Sequence, residues 1–398
     1  MYTKSYIPYG GYYSSPFCRW QMSFQNENAI VLGAETARKW FLGREIDPTI
    51  IDYMYLGMTV AQNRGFHGHN WAAAILVDNQ KYLPACYIHQ ACTTSATCMN
   101  LCALSIEAGV YETGFALMSD RCSNGPHLVW PNPKGPGGEV ISENWNLDNM
   151  NNDPNAGFKM VQTGENVSKE IGATREEADA VTLRRYEQYL DSVANDRTFQ
   201  KRYMVPVEIQ VSKRETKIVE TDEGITPCTA EGLARLKPVE PGGIHTYGAQ
   251  THPADGNCGF IITTRDKAKE LSTDKNIEVQ IISYGYGRVK PGFMPAAPVP
   301  AAQMALDTAG LKIDEIKSIK THNPFAINDI NLAKIMNIDV MKFNNYGSSL
   351  IFGHPQGPTV GRLIAEMIEE LVILGGGYGL YAGCAAGDTG ASMIIKVG

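Results

Sequence analysis

Apolar and polar positions along the first third of the chain predict strands and helices in alternation. A helix between residues 28 and 43 is predicted by apolar residues that recur every three or four positions: Ile30, Ala34, Ala37 and Phe41. Short apolar runs predict strands at residues 52–60, 85–88 and 114–119. After a run of small polar residues, a second helix is predicted, with a buried face of Met99, Ala103, Ile106 and Val110.

The last third of the chain repeats this order of elements. It predicts, in sequence, a helix at 298–310, a strand at 317–321, an apolar helix containing Leu363, Met367 and Leu371, and paired strands at 378–382 and 391–397. Two halves of like design indicate an internal duplication. The alternation of strands and helices favours a layered α/β fold with helices around mainly central sheets.

The middle of the chain, from about residue 120 to 246, has a different character. A long, highly charged helix is predicted at residues 176–202, and residues 206–219 alternate like a hairpin. This block is therefore predicted to be a large insertion or lid rather than more of the same sheet. The sheet pattern resumes with predicted strands at 258–263 and 277–286.

The composition of the chain is that of a globular protein. With 398 residues, 43% of them hydrophobic and 19% charged, the chain can bury a large core in two or three lobes. No apolar run reaches the ~20 residues of a membrane span, and the first residues lack the apolar core of a signal peptide, so no membrane association is expected. A net charge of -7 without a long basic block argues against nucleic acid as a partner.

The nine cysteines show neither disulfide nor zinc spacing. Cys98 and Cys102 lie one helical turn apart rather than in a Cys-x-x-Cys pattern. His67 and His69 fall in a predicted loop, where no carboxylate or cysteine completes a set of metal ligands. We therefore expect a reduced, cytoplasmic protein with no metal, no disulfide and no tightly bound cofactor.

Cys92 is the first candidate for chemistry. It lies where the strand at 85–88 ends and a helix begins, so unpaired helix N–H groups and the helix dipole would stabilise a negative sulfur. Because the thiolate is the reactive form of cysteine, Cys92 is a candidate nucleophile. The alternative is a small buried cysteine in a tight strand-to-helix turn.

Two further residues could complete a reaction centre with Cys92. His354 lies between glycines in the segment 353–357, and Cys384 lies beside a glycine and before a turn at 387–390. An imidazole base can activate a cysteine for covalent catalysis, and a second thiol can move a proton at carbon. The three residues together suit acyl transfer with cleavage or formation of a carbon–carbon bond.

Three motifs resemble those of the thiolase family, and the likeness runs nearly from end to end of the chain. The segment Gly353-His354-Pro-Gln-Gly-Pro-Thr-Val-Gly-Arg362 is similar to the family's Gly-His-Pro-x-Gly-x-x-Gly-x-Arg motif. The small-residue turn at Cys92 resembles the family's acylated cysteine segment. Gly383-Cys384-Ala-Ala-Gly387 resembles its C-terminal Cys-x-Gly-Gly-Gly element.

The resemblance implies a thiolase-like five-layered α-β-α-β-α fold made of two duplicated halves and a loop domain. Residues 1–120 and 247–275 would form the N-terminal half, which carries the nucleophile. Residues 276–398 would form the C-terminal half. Residues 121–246 would form the loop domain, which covers the active site and receives coenzyme A.

The resemblance also implies a role for each matched residue. Cys92 would attack the substrate carbonyl and carry the acyl group, His354 would activate it and help to hold an oxyanion, and Cys384 would exchange the proton at carbon. The backbone N–H groups of Cys92 and Gly387 would face the acyl-enzyme oxyanion. His322 replaces the family's usual asparagine and would donate to the thioester oxygen, unless it is a strand-end histidine bonded to backbone.

Several residues expected near the substrate depart from the family's pattern. The positions implied to contact substrate are Asn323, Phe325, Met160, Gly248 and Gln250. Extra polar side chains are expected in the same region: Arg121, Gln250, His252 and Gln356. These departures favour a bulky, branched, aromatic or carboxylated 3-oxoacyl-CoA. They are similar to features of the thiolase subunit type that acts on 2-benzoylsuccinyl-CoA, which implies a small zinc-ribbon/OB-fold partner subunit.

The expected activity is CoA-dependent thiolytic cleavage of a 3-oxoacyl-CoA through acyl-Cys92, with coenzyme A as a substrate. The resemblance implies a homodimer or a dimer of dimers. Two alternatives stay open: a biosynthetic Claisen-condensing enzyme, and a non-catalytic scaffold subunit that binds acyl-CoA. The presence of Cys384 argues against a decarboxylating synthase, and the set of Cys92, His354 and Cys384 argues against a scaffold.

Overall fold

The computed structural model describes residues 1–398, and its first third holds the turn that carries Cys92. The strands of this part are β1 (Tyr6–Ile7), β2 (Tyr12–Ser14), β3 (Cys18–Arg19), β4 (Tyr53–Gly57), β5 (Ala85–Ile88) and β6 (Thr113–Arg121). Its helices are α1 (Ala29–Gly43), α2 (Gly68–Leu76) and α3 (Thr94–Glu107). The predicted helix at 28–43 is confirmed, with all four predicted apolar residues buried.

The middle block forms elements that stand outside the large sheet. They are β7 (His127–Pro131), β8 (Val140–Asn144), α4 (Trp145–Asn151), α5 (Met160–Ile171), α6 (Arg175–Arg197), β9 (Val207–Ser212), β10 (Glu215–Val219) and α7 (Ala230–Arg235). The strands pair only as two antiparallel hairpins, β7 with β8 and β9 with β10. The predicted charged helix and the predicted hairpin are therefore confirmed.

The remainder of the chain returns to the large sheet. Its elements are β11 (Ala254–Thr263), α8 (Arg265–Leu271), β12 (Val279–Arg288), α9 (Pro298–Ala309), β13 (Ile316–His322), α10 (Ala326–Met336), α11 (Ser349–Phe352), α12 (Thr359–Ile373), β14 (Gly377–Ala385) and β15 (Thr389–Val397). None of the helices combines the length and the apolar character needed to cross a bilayer.

Eleven strands form one mixed sheet. Its main path runs β13-β14-β15-β12-β1-β11-β6-β4-β5, and β2 and β3 pair with β11. The pairs β4–β5, β4–β6 and β13–β14 are parallel, whereas β11–β6, β12–β15 and β14–β15 are antiparallel. The two-residue strand β1 pairs with both β11 and β12, and so joins an N-terminal half sheet to a C-terminal half sheet.

Helices cover both outer faces of the sheet halves and fill the space between them. Helices α1 and α2 pack on the N-terminal half sheet, α9 and α10 pack on the C-terminal half, and α3 and α12 contact each other in between. The largest buried apolar cluster surrounds α3 and α12, and smaller clusters lie beneath the outer helices. The order of layers is α-β-α-β-α, which confirms the predicted fold class.

Two local predictions are wrong. His67 and His69 do not lie in a loop, because His67 ends a short 3-10 turn and His69 lies in the first turn of α2. The buried apolar side chains of α2 explain why this segment is helical. Val110 is exposed rather than buried, since α3 ends three residues before it, at Glu107.

Candidate active site

Cys92 lies in a tight turn between β5 and α3. Ala91 adopts a left-handed conformation, with φ at 45°. The hydroxyl of Thr94 accepts from the N–H of Gln90 (2.9 Å) and donates to the carbonyl of Ala91 (2.7 Å), which closes the turn. Small polar residues suit such a turn because their short side chains bond the neighbouring backbone. The turn leaves Cys92 buried at the junction of the two halves.

His354 reaches Cys92 from the C-terminal half of the fold. Its Nε2 lies 3.1 Å from Sγ of Cys92, and its Nδ1 lies 2.6 Å from Oγ1 of Thr359. The backbone is fixed as well, since the N–H of His354 donates to the carbonyl of His252 at 2.9 Å. In the tautomer that donates from Nδ1 to Thr359, Nε2 is free to take the proton of the Cys92 thiol.

Asp120 fixes the loop that carries His354. It is buried at the end of β6, and its carboxylate accepts from the backbone N–H groups of Thr59 (2.8 Å), Val60 (2.9 Å) and Gly357 (2.8 Å). One carboxylate therefore ties the end of β4 to the turn after His354. Burial raises the pKa of Asp120 to about 7, and the donated hydrogen bonds act in the opposite direction.

Cys384 is fully buried near the end of β14. The side-chain amide of Asn328, in the first turn of α10, donates to Sγ of Cys384 at 3.1 Å. The other end of this amide accepts from the N–H of Phe325 (3.1 Å), which fixes its orientation. Burial raises the pKa of Cys384 well above its ordinary value, and charge on Cys92 would raise it further. The resting Cys384 is therefore a neutral thiol, the form that can protonate carbon.

His322 ends β13 and lies against His354, with ring centroids 4.2 Å apart. Its Nδ1 lies 2.9 Å from Oγ of Ser349, so the side chain is bonded to a hydroxyl and not to backbone. Its Nε2 is buried and has no hydrogen-bond partner. Burial lowers the pKa of His322 well below its ordinary value, so the imidazole is neutral.

The contacts of Ser349 decide which nitrogen of His322 carries the proton. The Ser349 hydroxyl donates to Oδ1 of Asn323 at 3.0 Å. The Asn323 amide is oriented by Asp329, which accepts from its Nδ2 at 2.8 Å. With its own proton used, Ser349 can only accept from His322, which places the proton on Nδ1 and a lone pair on Nε2. The predicted donation from His322 to a thioester oxygen is at odds with this resting arrangement.

Two backbone N–H groups surround the sulfur of Cys92. The N–H groups of Cys92 and Ala386 point at the Cys92 sulfur. Gly387, which was predicted to face the acyl-enzyme oxyanion, is the next residue in the turn between β14 and β15 and has φ at 84°. Asp388 holds the turn, since its carboxylate accepts from the N–H of Gly292 at 3.1 Å. Ala386 therefore supplies the second backbone donor beside Cys92.

Burial decides the protonation of Cys92 and His354. It raises the pKa of the Cys92 thiol to about 12, although hydrogen bonds from the Ala386 and Cys92 N–H groups oppose it. Burial also lowers the pKa of His354 to about 3. The expected stabilisation of a negative sulfur by the helix dipole is thus outweighed by the loss of water. The resting pair is a neutral thiol beside a neutral imidazole.

This protonation state predicts how the reactivity of Cys92 depends on pH. Between pKa values of about 3 and about 12 neither group changes charge, so the thiolate fraction grows with pH. We expect the alkylation rate of Cys92 to rise about tenfold per pH unit between about pH 7 and pH 10. The rate can be measured with iodoacetamide and peptide mapping. A plateau already reached below about pH 8 would instead indicate a thiolate–imidazolium pair and contradict this prediction.

A cavity of about 230 Å³ opens onto Cys92 and His354. The other residues that line it are mostly apolar and include three methionines: Trp20, Cys122, Asn146, Leu147, Met150, Met160, Gln250, Thr251, Pro253, Met294, Pro324, Phe325, Gln356 and Ala386. Helix α4 and the start of α5 contribute to this lining, so the middle block covers the nucleophile. No lysine, arginine, aspartate or glutamate lines the cavity.

Three of the five residues predicted to contact substrate line this cavity: Met160, Phe325 and Gln250. Asn323 and Gly248 do not line it. The side chain of Asn323 is buried instead in the hydrogen-bond network that holds Ser349.

Of the extra polar residues, Arg121 and His252 lie outside the lining, whereas Gln356 touches the nucleophile. Its Oε1 accepts from Sγ of Cys92 at 3.5 Å, and its backbone is left-handed, with φ at 60°.

Four residues that hold the reacting groups were not identified from the sequence: Asp120, Asn328, Ser349 and Thr359. Thr359 could have been found, because it lies five positions after His354 within the same motif. Asn328 and Cys384 are 56 residues apart, and no local spacing indicates their contact. Such pairs become visible only when the topology places α10 beside β14.

Family models match almost the whole chain. A model described as "Thiolase, N-terminal domain" matches residues 12–266, and one described as "Thiolase, C-terminal domain" matches residues 275–397.

Curated proteins with related sequences carry two kinds of name. An acetyl-CoA acetyltransferase of Syntrophomonas wolfei is 29% identical over 92% of each chain. The mitochondrial 3-ketoacyl-CoA thiolase of Homo sapiens is 29% identical over 61% of each chain.

Solved structures share the fold over its full length. The Bacillus anthracis acetyl-CoA acetyltransferase superimposes with a TM-score of 0.90 at 23% identity, covering 100% of this chain and 99% of the other. Human mitochondrial 3-ketoacyl-CoA thiolase in complex with CoA gives a TM-score of 0.89 at 23% identity, covering 99% and 98%.

Proposed function

The chain belongs to the thiolase family, and on that premise we propose that it is an acyltransferase that cleaves a 3-oxoacyl-CoA with coenzyme A. The observation that carries the proposal is the 3.1 Å contact between Sγ of Cys92 and Nε2 of His354. A second buried thiol, Cys384, lies close enough for charge on Cys92 to raise its pKa. The candidate nucleophile and base thus line one cavity, and the candidate proton donor is buried close to them.

In the first half-reaction, the proton of Cys92 moves to Nε2 of His354 while the sulfur attacks the C3 carbonyl of the substrate. The C2–C3 bond then breaks, and Cys384 gives its proton to C2. One CoA thioester leaves, and the rest of the acyl chain stays on Cys92. Cys384 is now a thiolate, which the amide of Asn328 stabilises from 3.1 Å.

In the second half-reaction, coenzyme A gives its thiol proton to the Cys384 thiolate and its sulfur attacks the acyl group on Cys92. The Cys92 sulfur leaves and recovers its proton from His354. All three side chains return to their starting states, so the cycle balances with coenzyme A as the only further reactant. Run in reverse, the same steps give the condensation considered above as an alternative.

Separate donors serve the two oxyanions of this cycle. The N–H groups of Cys92 and Ala386 flank the sulfur and would stabilise the oxyanion of the acyl-enzyme, each contributing roughly 3 kcal/mol. Once protonated, His354 can donate from Nε2 to the oxygen of the attacked ketone. In its resting tautomer His322 presents a lone pair at Nε2, so it cannot donate a hydrogen bond from Nε2 to either oxyanion.

We propose that the acyl group is bulky and uncharged, with a branched or aromatic side chain. Three methionines and the aromatic side chains of Trp20 and Phe325 belong to a mostly apolar lining, and flexible thioethers adapt to irregular apolar groups. A carboxylated chain such as 2-benzoylsuccinyl would find no cationic partner there, and burying an unpaired charge is costly. Among the acyl classes predicted from the sequence, the neutral ones therefore fit this cavity best.

A panel of 3-oxoacyl-CoA substrates tests this acyl preference. We expect kcat/KM for thiolysis to be at least about tenfold higher for a phenyl-substituted chain than for a carboxylated chain of equal length. The matched variant Gln250→Lys adds a cation to the lining and should shift the preference toward the carboxylated substrate. A wild-type preference for the carboxylated chain would contradict the proposal, as would a preference for acetoacetyl-CoA.

We also propose assembly as a homodimer or a dimer of dimers, as the resemblance implies. Exposed apolar side chains on the β7–β8 hairpin, Val129, Trp130, Val140 and Ile141, support an assembled form. Light scattering of the purified chain tests it, and a monomer at all concentrations would contradict it. The small zinc-ribbon/OB-fold subunit remains a prediction, which co-purification from cells with a tagged chain can test.

A further inference from the structure

Cys92, His322 and His354 form a compact set of metal-ligating side chains. Their ligating atoms all lie within 4.8 Å of one another, and all three residues are buried. A cysteine thiolate and two imidazoles are ligands that zinc favours. The three residues come from separate segments of the chain, which explains why no metal-binding spacing is visible in the sequence.

Both imidazoles present the nitrogen that a metal requires. The proton of His322 is placed on Nδ1 by Ser349, and Nδ1 of His354 is hydrogen-bonded to Thr359, so in each ring it is Nε2 that faces the other ligands. A hydrogen bond at one ring nitrogen that leaves the other as ligand is the usual arrangement around zinc-binding histidines. The Nε2 of His322 is moreover buried and has no hydrogen-bond partner. Leaving its lone pair unpaired costs free energy, and a bound metal ion would remove that cost.

The cavity can supply the fourth ligand. Cys92 and His354 line it, so a water molecule or a thiol could complete a tetrahedral site from that side. No carboxylate lines the cavity, so Mg²⁺ and Ca²⁺, which prefer several oxygen ligands, would find few partners. The chemistry of the site therefore selects a thiophilic divalent ion.

We propose that Cys92, His322 and His354 bind Zn²⁺ and that the bound ion reversibly blocks the acyltransferase site. The thiol proton of Cys92 is released to solvent as the zinc–sulfur bond forms, and the two neutral imidazoles bind through Nε2 without a change of protonation. Sγ of Cys92 and Nε2 of His354, 3.1 Å apart, are already closer than two ligands of a tetrahedral zinc and must separate slightly, whereas the longer separations, up to 4.8 Å, must shorten by on the order of 1 Å. Zinc and the acyl group then compete for the same sulfur.

The test is metal binding by the intact chain, with a readout that does not depend on turnover. Co²⁺ bound to a thiolate gives a near-ultraviolet charge-transfer band, so Co²⁺ is the spectroscopic probe and Zn²⁺ the competitor. We expect one equivalent of Co²⁺ per chain and loss of the band on addition of Zn²⁺. The band should be absent in Cys92→Ser and retained in Cys384→Ser, a matched change at the second thiol of the site.

Zinc affinity then tests the two histidines and the tautomer. Measured against a chromophoric chelator, Ser349→Ala should weaken zinc binding about tenfold, because Nδ1 of His322 loses its acceptor. His322→Ala should weaken it further, and His322→Gln serves as a second variant that keeps the size of the side chain. Thermal unfolding of each metal-free variant shows whether it is folded.

Two results would overturn the proposal. A cobalt band that survives Cys92→Ser would place the ion on other thiols, such as the partly exposed Cys86 and Cys228. Equal zinc affinity in the wild-type chain and in folded His322 variants would show that His322 is not a ligand. These measurements need no substrate. Zinc binding at this site can therefore be disproved while the acyltransferase proposal stands, and the acyltransferase proposal can be disproved while zinc binding is confirmed.

Discussion

Replacing Cys92 by serine is expected to lower the rate of acyl transfer at least about 10⁴-fold. A serine hydroxyl is a much weaker acid than a thiol, and burial lowers the pKa of His354 to about 3, so the imidazole is too weak a base to activate it. The measurement is intact-protein mass after mixing with acetyl-CoA, followed by peptide mapping. Wild-type protein should gain one acetyl group on Cys92, which free coenzyme A removes, and the variant should gain none.

Cys228→Ser is the matched control for this prediction. Cys228 is a partly buried free cysteine that does not line the cavity, so its replacement should leave acetylation and turnover unchanged. Acetylation of another cysteine in the Cys92→Ser protein would contradict the assignment of the nucleophile. Absence of any adduct in wild-type protein with every acyl-CoA tested would instead favour the scaffold alternative.

Replacing Cys384 by alanine should separate the two kinds of chemistry at the site. Cleavage of the carbon–carbon bond needs a proton delivered to C2, and we expect its rate to fall about 10³- to 10⁴-fold. Acetylation of Cys92 by acetyl-CoA needs no proton at carbon: His354, 3.1 Å from Cys92, takes the thiol proton and, when Cys384 is absent, can return it to the departing CoA sulfur. The rate of acetylation should therefore stay within about tenfold of the wild-type rate. Rapid-quench mass measurements can follow acetylation separately from steady-state thiolysis.

Asn328→Ala provides the graded control. It removes the hydrogen bond to Sγ of Cys384 but keeps the thiol, so cleavage should fall by about tenfold and acetylation should not change. If Cys384→Ala stopped acetylation as well, the second thiol would be needed to assemble the nucleophile. If the variant kept full cleavage activity, another group would have to be the proton donor.

The sequence predicted the main strands and helices of the two halves, but not α2, α5 or α10, and it identified Cys92, His354 and Cys384 as candidates for chemistry. Strands and helices follow from apolar periodicity, which is local, and Cys92 and His354 lie in short glycine-rich or small-residue turns. The environment of these side chains was not predictable in the same way. The helix terminus next to Cys92 suggested a stabilised thiolate, but the pKa is set by the amount of water excluded from the site.

Tertiary contacts also decide the state of His322. Its position in the sequence suggested a donor to the substrate, whereas Ser349, 27 residues away, places the proton on the opposite nitrogen. Neither Ser349 nor Asn323 could be recognised as part of this network without knowing that the start of α11 packs against the end of β13. Long-range hydrogen bonds of this kind cannot be predicted from local sequence patterns.

The nucleophile and its base belong to opposite halves of the fold, and α3 and α12 meet at the boundary between them. A polypeptide of half this length would therefore carry either the cysteine that accepts the acyl group or the histidine that activates it, but never both. The pair therefore exists only while the two halves are packed together, and any change that separates α3 from α12 would also separate Cys92 from His354.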